Sequence, residues 1–371
     1  MQVESRAFEP ARLLLARRRR GLKRSQLAVL AGLKPRTLAA YELSEREPSD
    51  DALARLQNAL GFPREFFFRG AIPQLREDGV AFRALSKMTA PQREKALAAG
   101  ELASELLEWA KSRFDLPAPN VPDLRLEKDP ETAALALRAA WGMGDRPIPN
   151  LIKLLEAHGV RVFSLVEHDR ALDGFSFWRA GEPFIFLNTL KSAERCRFDA
   201  AHELGHLVLH RHGGGVGPNA EREAMEFASS FLMPSSSVRS HVTGPVSITE
   251  LLQVKQWWGV SLAALVKRLH DVKIINNWVY RETFMQLQGL GYRDNEPNGI
   301  VREHSLIWPQ IFDEMRKEGS TRADVARLLG WPVEELQSLV FQLVISGLSG
   351  GNATAPQNSN SDARSALSIL H

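Results

Sequence analysis

Cysteine and long apolar runs are the scarce features of this chain of 371 residues. Its single cysteine, Cys196, excludes an intramolecular disulfide and is compatible with a reducing compartment. No apolar run approaches the ~18 residues that a bilayer span needs. Four arginines at 17–20 interrupt the only N-terminal segment that resembles the core of a signal peptide. We therefore expect a cytoplasmic protein with no membrane partner.

The net charge is small and unevenly distributed. The whole chain carries a formal charge of +3, whereas residues 1–60 hold twelve Lys and Arg against seven Asp and Glu, a balance of +5. A basic first part attached to a near-neutral body predicts a polyanionic partner for that part alone. The length allows two or three domains with ample apolar material for their cores.

The most informative segment is residues 201–206, Ala-His-Glu-Leu-Gly-His, which contains the pattern His-Glu-x-x-His. Residues i and i+4 of an α-helix share a face, so His202 and His206 can direct both imidazoles at one ion. Two nitrogens combined with an oxygen suit Zn²⁺. Glu203 lies ~100° around the helix, where a carboxylate can accept a proton from water activated by the ion. The segment therefore predicts a zinc hydrolase with Glu203 as its catalytic residue.

A zinc site of this kind needs a third protein ligand, and three downstream residues are candidates. His212 has the spacing of metzincins, but that motif requires a glycine where this chain has Leu209, so we discount it. Glu221 and Glu223 lie near the start of the next predicted helix, where carboxylates are also favoured by the helix dipole alone. Glu221 falls about 70° from the centre of the apolar stripe of this helix and Glu223 about 90° on the other side. We favour Glu221 and keep Glu223 as the alternative.

Strand-like segments directly precede the histidine motif. Residues 160–163 alternate as a strand should, and residues 174–178 and 183–187 look like the two arms of a hairpin. Residues 274–280 also look like a strand, whereas helical spacing predominates in most of the remaining chain. The predicted fold class is mainly α with a small β-sheet, an α+β arrangement.

Two runs resemble a known enzyme family. Residues 195–210 resemble the histidine motif of the ImmA/IrrE-type metallopeptidases, and residues 221–234 look like the second motif of that family. The likeness covers roughly residues 145–245 and implies a gluzincin-like zinc domain. It assigns the zinc ligands to His202, His206 and Glu221 and the role of general base and acid to Glu203.

The resemblance also implies an activity, the cleavage of a regulatory protein that is often a repressor. The strand at 183–188 is a candidate for pairing with an extended substrate. The sequence departs from the family pattern at Met225, where Asn or Asp is frequent. A polar group there can orient a histidine ligand.

Residues 10–69 resemble the XRE-type helix-turn-helix domain of phage-repressor-like regulators. The likeness rests on Arg18 with Gly21-Leu22, Ser25-Gln26-Leu27-Ala28, a turn at Gly32, Tyr41-Glu42 and Pro48-Ser49. In such folds the third helix enters the major groove and its first residues meet base edges. The expected base contacts are made by Lys34, Arg36 and Thr37. The expected phosphate contacts are made by Arg24, Gln26 and the arginines at 17–20. The resemblance implies a homodimer on palindromic operator DNA, associated with the nucleoid.

These features divide the chain into five parts. They are a helix-turn-helix domain (1–70), a helical linker region (71–144), the ImmA/IrrE-type zinc domain (145–270), a mostly helical, partly mixed C-terminal region (271–346) and a disordered tail (347–371). Residues 321–331 faintly resemble a second helix-turn-helix, but the segment is short and balanced in charge. We expect a packing or dimer element there.

The leading hypothesis for function is a DNA-binding transcriptional regulator with a zinc-dependent endopeptidase domain. Its substrate would be a regulatory protein such as a repressor, cleaved in a stress or mobile-element response. The alternative is a repressor or antitoxin-like protein whose zinc domain senses a ligand, dimerises or binds a partner without cutting it.

Overall fold

The computed structural model describes residues 7–75, 89–165, 173–211, 217–243, 247–292 and 295–340, together with the backbone of residues 368–369. Within these ranges the chain is mainly helical and contains a three-stranded sheet, which confirms the predicted α+β class. No helix in the described ranges is both long enough and apolar enough to cross a bilayer.

Short helices make up the N-terminal region. They are α1 (Pro10–Arg19), α2 (Arg24–Leu30), α3 (Pro35–Glu42), α4 (Asp50–Leu60) and a 3-10 helix (Arg64–Phe68). Proline begins α1 and α3, where its missing N–H costs no helical hydrogen bond. The Ser49 side chain caps α4 by accepting from the N–H of Ala52, and Gly61 ends the helix with a φ of 67°.

The next region contains a long buried helix where a linker was expected. Its elements are α5 (Ala90–Lys111), β1 (Phe114–Asp115), α6 (Pro130–Ala140) and α7 (Leu151–Ala157). From Ala96 to Leu107, most side chains of α5 are buried. The region described above as a helical linker (71–144) thus contains a helix whose side chains are mostly buried.

The sheet has a strand order that local alternation does not reveal. Its strands are β2 (Arg161–Ser164), β3 (Gly174–Arg179) and β4 (Glu182–Leu187). The central strand is β4, which runs parallel to β2 and antiparallel to β3. Both of its edges are occupied, so the expectation that residues 183–188 pair with a substrate is wrong. Among the described strands, β3 pairs on one side only and lies at an edge.

The rest of the described chain is helical apart from one terminal pair of residues. Its elements are α8 (Ala193–Leu209), α9 (Pro218–Leu232), α10 (Ser235–His241), α11 (Ile248–Trp258), α12 (Leu262–Asp271), α13 (Asn277–Gly289), α14 (Ile307–Lys317), α15 (Arg322–Leu329), α16 (Val333–Val340) and β5 (Ser368–Ile369). The short β5 pairs antiparallel with β1. The remaining residues of the predicted disordered tail, 347–367 and 370–371, lie outside the described residues.

The strand predicted at 274–280 is wrong, because α13 begins within it. The side chain of Asn276 accepts hydrogen bonds from the N–H groups of Trp278 and Val279 and so caps the helix. An N-cap asparagine satisfies two backbone donors that a strand would leave for a neighbour. The apolar residues of this segment consequently follow helical rather than alternating geometry.

The sheet separates two apolar cores. Phe163, Phe175, Phe177, Phe184 and Phe186 point into the first core, which also contains the N-terminal helices, α5 and α14 to α16. Successive residues of a strand point to opposite faces, so Val162, Ile185 and Leu187 enter the second core instead. The second core is built from α6 to α13 and holds the helix that carries the histidine motif. The C-terminal helices α14 to α16 thus pack with the N-terminal region, which agrees with the first of the two roles expected for residues 321–331, a packing or a dimer element.

Candidate functional site

Helix α8 places His202 and His206 one turn apart, next to α9. The helix begins after Ser192, whose side chain accepts from the N–H of Arg195, and most of its length is buried. Gly205 lies where the two helices cross, because a Cβ there would lie 3.0 Å from Cδ1 of Phe227 and 3.2 Å from Cα of Ala224. The missing side chain therefore lets α9 approach α8 closely.

Close approach of the two helices brings together His202, His206 and Glu221, which we call the histidine cluster. The Nε2 atoms of the histidines are 3.2 Å apart. Oε2 of Glu221 is 3.5 Å from Nε2 of His202, and Oε1 is 3.3 Å from Nε2 of His206. One donor atom from each of these residues lies within 4.8 Å of the others, and the cluster is the group of potential metal ligands found among the described residues.

The spacing and chemistry of these atoms fit zinc. Tetrahedral zinc with Zn–N bonds of 2.0–2.1 Å sets neighbouring ligand atoms about 3.3 Å apart. Burial lowers the pKa of His206 to about 4, which keeps this imidazole in the neutral form that binds metals. Burial alone would raise the pKa of Glu221, but its contacts with His202 and His206 hold that pKa well below the ordinary range. The cluster therefore presents a carboxylate and neutral nitrogen to the same point.

Glu203 lies beside the histidine cluster, against the edge strand β3. It is 3% exposed, and burial raises its pKa to about 7. The hydroxyl of Ser176 donates to Oε2 of Glu203 at 2.7 Å. A Cβ at Gly174 would lie 2.7 Å from the carbonyl oxygen of Phe186 and 3.4 Å from Cγ of Glu203, so a glycine allows this close approach.

Ser176 and Gly174 are residues that sequence reasoning missed. They occupy alternate positions of β3, and such positions face the same side of a sheet. Two small residues at that spacing, beside a helix with buried polar groups, were the available signal. Trp178, two positions further, continues this face and donates from its indole N–H to the carbonyl of Leu207.

The other ligand candidates lie elsewhere. Oε2 of Glu223 is 2.9 Å from Nε2 of His210, on the side of His206 away from Glu221. His212 lies outside the described residues.

Met225 is 54% exposed and borders, together with Glu221, a cavity of about 1330 Å³ between α9, α12 and the start of α8. The ends of Leu190 and Phe198 supply apolar lining and Lys267 supplies charge.

The residues predicted to read DNA lie on the surface of the N-terminal helices. Lys34 and Arg36 are exposed at the start of α3, and Thr37 is half-buried. Gln26 is exposed, and its side-chain carbonyl accepts from the N–H of Lys23. Arg24 is exposed and pairs through Nε with Oε2 of Glu42 at 2.9 Å.

The arginines at 17–20 are buried or half-buried and all four form ion pairs within the chain, so their predicted role as phosphate contacts is wrong. Arg17 pairs with Glu42 inside the N-terminal region. The others belong to what we call the arginine cluster, which comprises Arg12, Arg18 and Arg19 of α1, Arg20 directly after it, Glu101 and Glu105 of α5 and Glu335 of α16. These ion pairs bind the N-terminal helices to the rest of the first core.

Comparison with protein families matches two parts of the chain. Residues 155–270 match the family described as the IrrE N-terminal-like domain, a peptidase family, and residues 13–67 match a helix-turn-helix family. No curated protein matches the chain significantly. The first match runs from α7 to α12 and includes the histidine cluster and Glu203, and the second runs from α1 to the 3-10 helix. The chain thus joins an XRE-type helix-turn-helix region at its N-terminus to a central region similar to the IrrE/ImmA-type peptidases.

Proposed function

We propose that this protein is a DNA-binding transcriptional regulator whose central domain is a zinc-dependent endopeptidase acting on a regulatory protein. The observation that carries the proposal is the convergence of two histidine nitrogens and a carboxylate at the spacing of zinc ligands, with Glu203 alongside. A stress or mobile-element signal is the proposed trigger.

Each residue of the site has a proposed role. His202, His206 and Glu221 hold the ion, which when bound supplies a Lewis acid that polarises a carbonyl and acidifies water. Ser176 holds Oε2 of Glu203, and Oε1 takes the proton from the attacking water. Glu203 then returns this proton to the nitrogen of the departing amine.

The substrate is proposed to enter as an extended segment along β3. This strand has one side unpaired among the described strands, and its residues Gly174 and Ser176 already approach Glu203. A peptide that adds to a sheet edge is held by backbone hydrogen bonds, so the position of its scissile bond is fixed by the strand. The cavity next to Glu221 has room for side chains of the substrate.

DNA recognition is proposed to depend on the start of α3. Arg36 and Lys34 are exposed there and carry the positive charge that base edges and phosphates attract. A homodimer placing one α3 in each half of a palindromic operator is the expected assembly.

The alternative function, a regulator or antitoxin-like protein with a non-cutting zinc domain, is favoured by one feature. The side chain of Met225 has no hydrogen-bond donor, so the position that often carries Asn or Asp in similar peptidases cannot donate to a histidine of the cluster. Both functions include zinc binding and DNA binding. They differ in whether Glu203 transfers a proton during peptide cleavage.

The test replaces Glu203 with glutamine in the full-length, zinc-loaded protein. E203Q keeps the size of the side chain but removes the base, so we expect unchanged zinc content and loss of at least 99% of substrate cleavage. Expressed in cells, E203Q with an affinity tag should abolish regulation and retain an uncleaved partner.

The matched control is Glu108→Gln on α5, because the Glu108 side chain is 71% exposed. E108Q should behave as the wild type. Regulation that survives E203Q untouched would contradict a proteolytic role and favour the alternative function.

A further inference from the structure

A chain of hydrogen bonds leads away from the histidine cluster. Nδ1 of His206 is 3.1 Å from Nδ1 of His210, and Nε2 of His210 is 2.9 Å from Oε2 of Glu223. The chain uses the ring nitrogen of His206 that faces away from Glu221, since Nε2 is the atom near that carboxylate. His206 is 5% exposed and the His210 side chain 10%, so water competes little for the contact between the two rings, whereas the Glu223 side chain is 35% exposed.

Counting the protons on these groups fixes which atom donates and which accepts in each hydrogen bond of the series. An ionised carboxylate only accepts hydrogen bonds, so Glu223 requires a proton on Nε2 of His210. A neutral imidazole carries a single N–H, which leaves Nδ1 of His210 as an acceptor. That acceptor requires a proton on Nδ1 of His206, and Nε2 of His206 must then carry its lone pair. With two neutral rings, this arrangement satisfies both hydrogen bonds of the series. The lone pair that it leaves on Nε2 of His206 can accept from Nε2 of His202, which is 3.2 Å away and nearer than the Glu221 carboxylate at 3.3 Å.

We propose that Glu223 and His210 are positioning residues that select the tautomer of His206 able to bind zinc. This inference rests on the zinc site proposed above. Neutral histidine in water divides between two tautomers, and the one with a proton on Nε2 cannot bind an ion at that atom. The series of hydrogen bonds from Glu223 through His210 to His206, which we call the relay, disfavours the Nε2-protonated tautomer of His206 before the ion binds.

The sequence places both positioning residues by helical spacing. His210 follows His206 by four residues and ends α8, where its N–H still bonds to the carbonyl of His206. Glu223 follows Glu221 by two residues, so the two carboxylates leave α9 in different directions. Glu221 reaches the Nε2 atoms, while Glu223 reaches the back of His206 through His210. Both of the glutamates considered as ligands therefore have a place in the site.

The relay also gives a ligating histidine the polar partner that Met225 cannot provide. Ligating histidines commonly donate their second N–H to a carboxylate or carbonyl, which fixes the ring and raises its basicity. His206 obtains this contact through His210 and Glu223, without a polar group at position 225. The loss of such partners typically costs about 10–100-fold in metal affinity.

The first measurement detects the tautomer without zinc and without activity. Nitrogen NMR of the histidine rings in the metal-free full-length protein, at a pH where the rings are neutral, should show His206 protonated at Nδ1 and His210 at Nε2. In Glu223→Gln the amide can donate or accept, so His206 should become a mixture of tautomers. A wild-type His206 protonated at Nε2 overturns the proposal.

The second measurement is a double-mutant cycle on zinc affinity, followed by competition with a chelator. H210F and E223Q should each weaken zinc binding, by about 10–100-fold for H210F. The double variant should match H210F, because Glu223 acts only through His210. Glu226→Gln, an exposed carboxylate three residues further along α9, is the matched control and should leave affinity unchanged.

The possible outcomes separate this inference from the proposed function. Folded H210F with wild-type zinc affinity overturns the relay, as does a double variant whose loss is the sum of the single losses. Loss of cleavage in E203Q with unchanged zinc affinity bears only on the proposed function. The NMR result stands in either case, since it needs neither zinc nor substrate.

Discussion

The arginine cluster and the histidine cluster are both partly buried groups of ionisable side chains, yet they differ in how their charges are paired. In the arginine cluster each guanidinium meets a carboxylate, as in the pairs of Arg18 with Glu101 at 2.8 Å and Arg19 with Glu335 at 2.8 Å. In the histidine cluster, the Glu221 carboxylate and two imidazole nitrogens converge, and none of the ion pairs found among the described residues joins Glu221 to a lysine or arginine. A group that is complete within the chain stabilises the fold, whereas an incomplete group has room for something from outside.

The two clusters also differ in how far apart their members lie along the sequence. The partners of the arginines lie 83 and 316 residues away along the chain, on other helices. The histidine cluster comes from two helices that follow each other in sequence, α8 and α9. The arginine cluster thus connects distant segments of the chain, whereas the histidine cluster is formed by two consecutive helices.

Zinc removal should have the largest effect and should touch only the histidine cluster. Each tenfold excess of zinc over its Kd adds about 1.4 kcal/mol to the free energy of unfolding, so nanomolar affinity at 0.1 mM zinc gives about 7 kcal/mol. Urea unfolding of the wild type, with zinc and with a chelator, measures this difference. His206→Ala should show almost none of it, and an equal zinc effect in H206A would place the ion elsewhere.

Breaking the arginine cluster should have a smaller effect that is independent of zinc. Glu335→Gln leaves Arg19 and Arg20 without their shared anion, and removing one partner of a buried ion pair typically costs about 3–5 kcal/mol. The neighbouring exposed Glu334→Gln is the control and should change stability little. Unfolding measured with and without zinc should give the same loss for E335Q. A loss that appears only with zinc would mean that the two clusters are coupled.

The same pair predicts a pH dependence. Burial raises the pKa of Glu335, but Arg19 and Arg20 outweigh it and hold the pKa below its usual 4.5. Because the folded-state pKa is lower than the unfolded one, the stabilisation is complete above about pH 4.5 and is lost as the pH falls through the folded value. E335Q should therefore lose less stability than the wild type on acidification.

An exposed arginine should show the smallest effect on the fold. Arg36 lies at the surface of α3, so Arg36→Ala should change the free energy of unfolding by less than about 0.5 kcal/mol. If it reads a base, operator affinity should fall by about 1–3 kcal/mol and discrimination at that base should relax. Gel-shift titrations on operator and scrambled DNA measure this, with exposed Arg316→Ala on α14 as control. Equal losses on both DNAs would make Arg36 a phosphate contact.

The parts of the fold that follow from short-range pattern could be predicted. The spacing of His202 and His206 and the helical phase of Glu221 are local geometry, and the structure brings these three residues together. The alternation in β2, β3 and β4 likewise indicated three strands. The central place of β4 depends on its parallel pairing with β2, which alternation does not encode.

Long-range partners account for what the sequence could not predict. A run of four arginines indicates a solvated basic surface until Glu101 and Glu335 are known to face it. The role of His210 was equally hidden, because its partners are a ring nitrogen and a carboxylate on two different helices. Ser176 needed the position of β3 against α8 before its hydroxyl could be connected with Glu203.

Gly205 has a consequence for the choice of ion. Because α8 and α9 nearly touch at this residue, the distance between Glu221 and the histidines is set by backbone contact and has little slack. Calcium, with bonds of about 2.3–2.6 Å to six or more oxygens, needs a wider and more numerous ligand set than three atoms at this separation. In the zinc site proposed above, the missing side chain of Gly205 would thus favour a small ion over a large cation, because it lets the two helices lie close together.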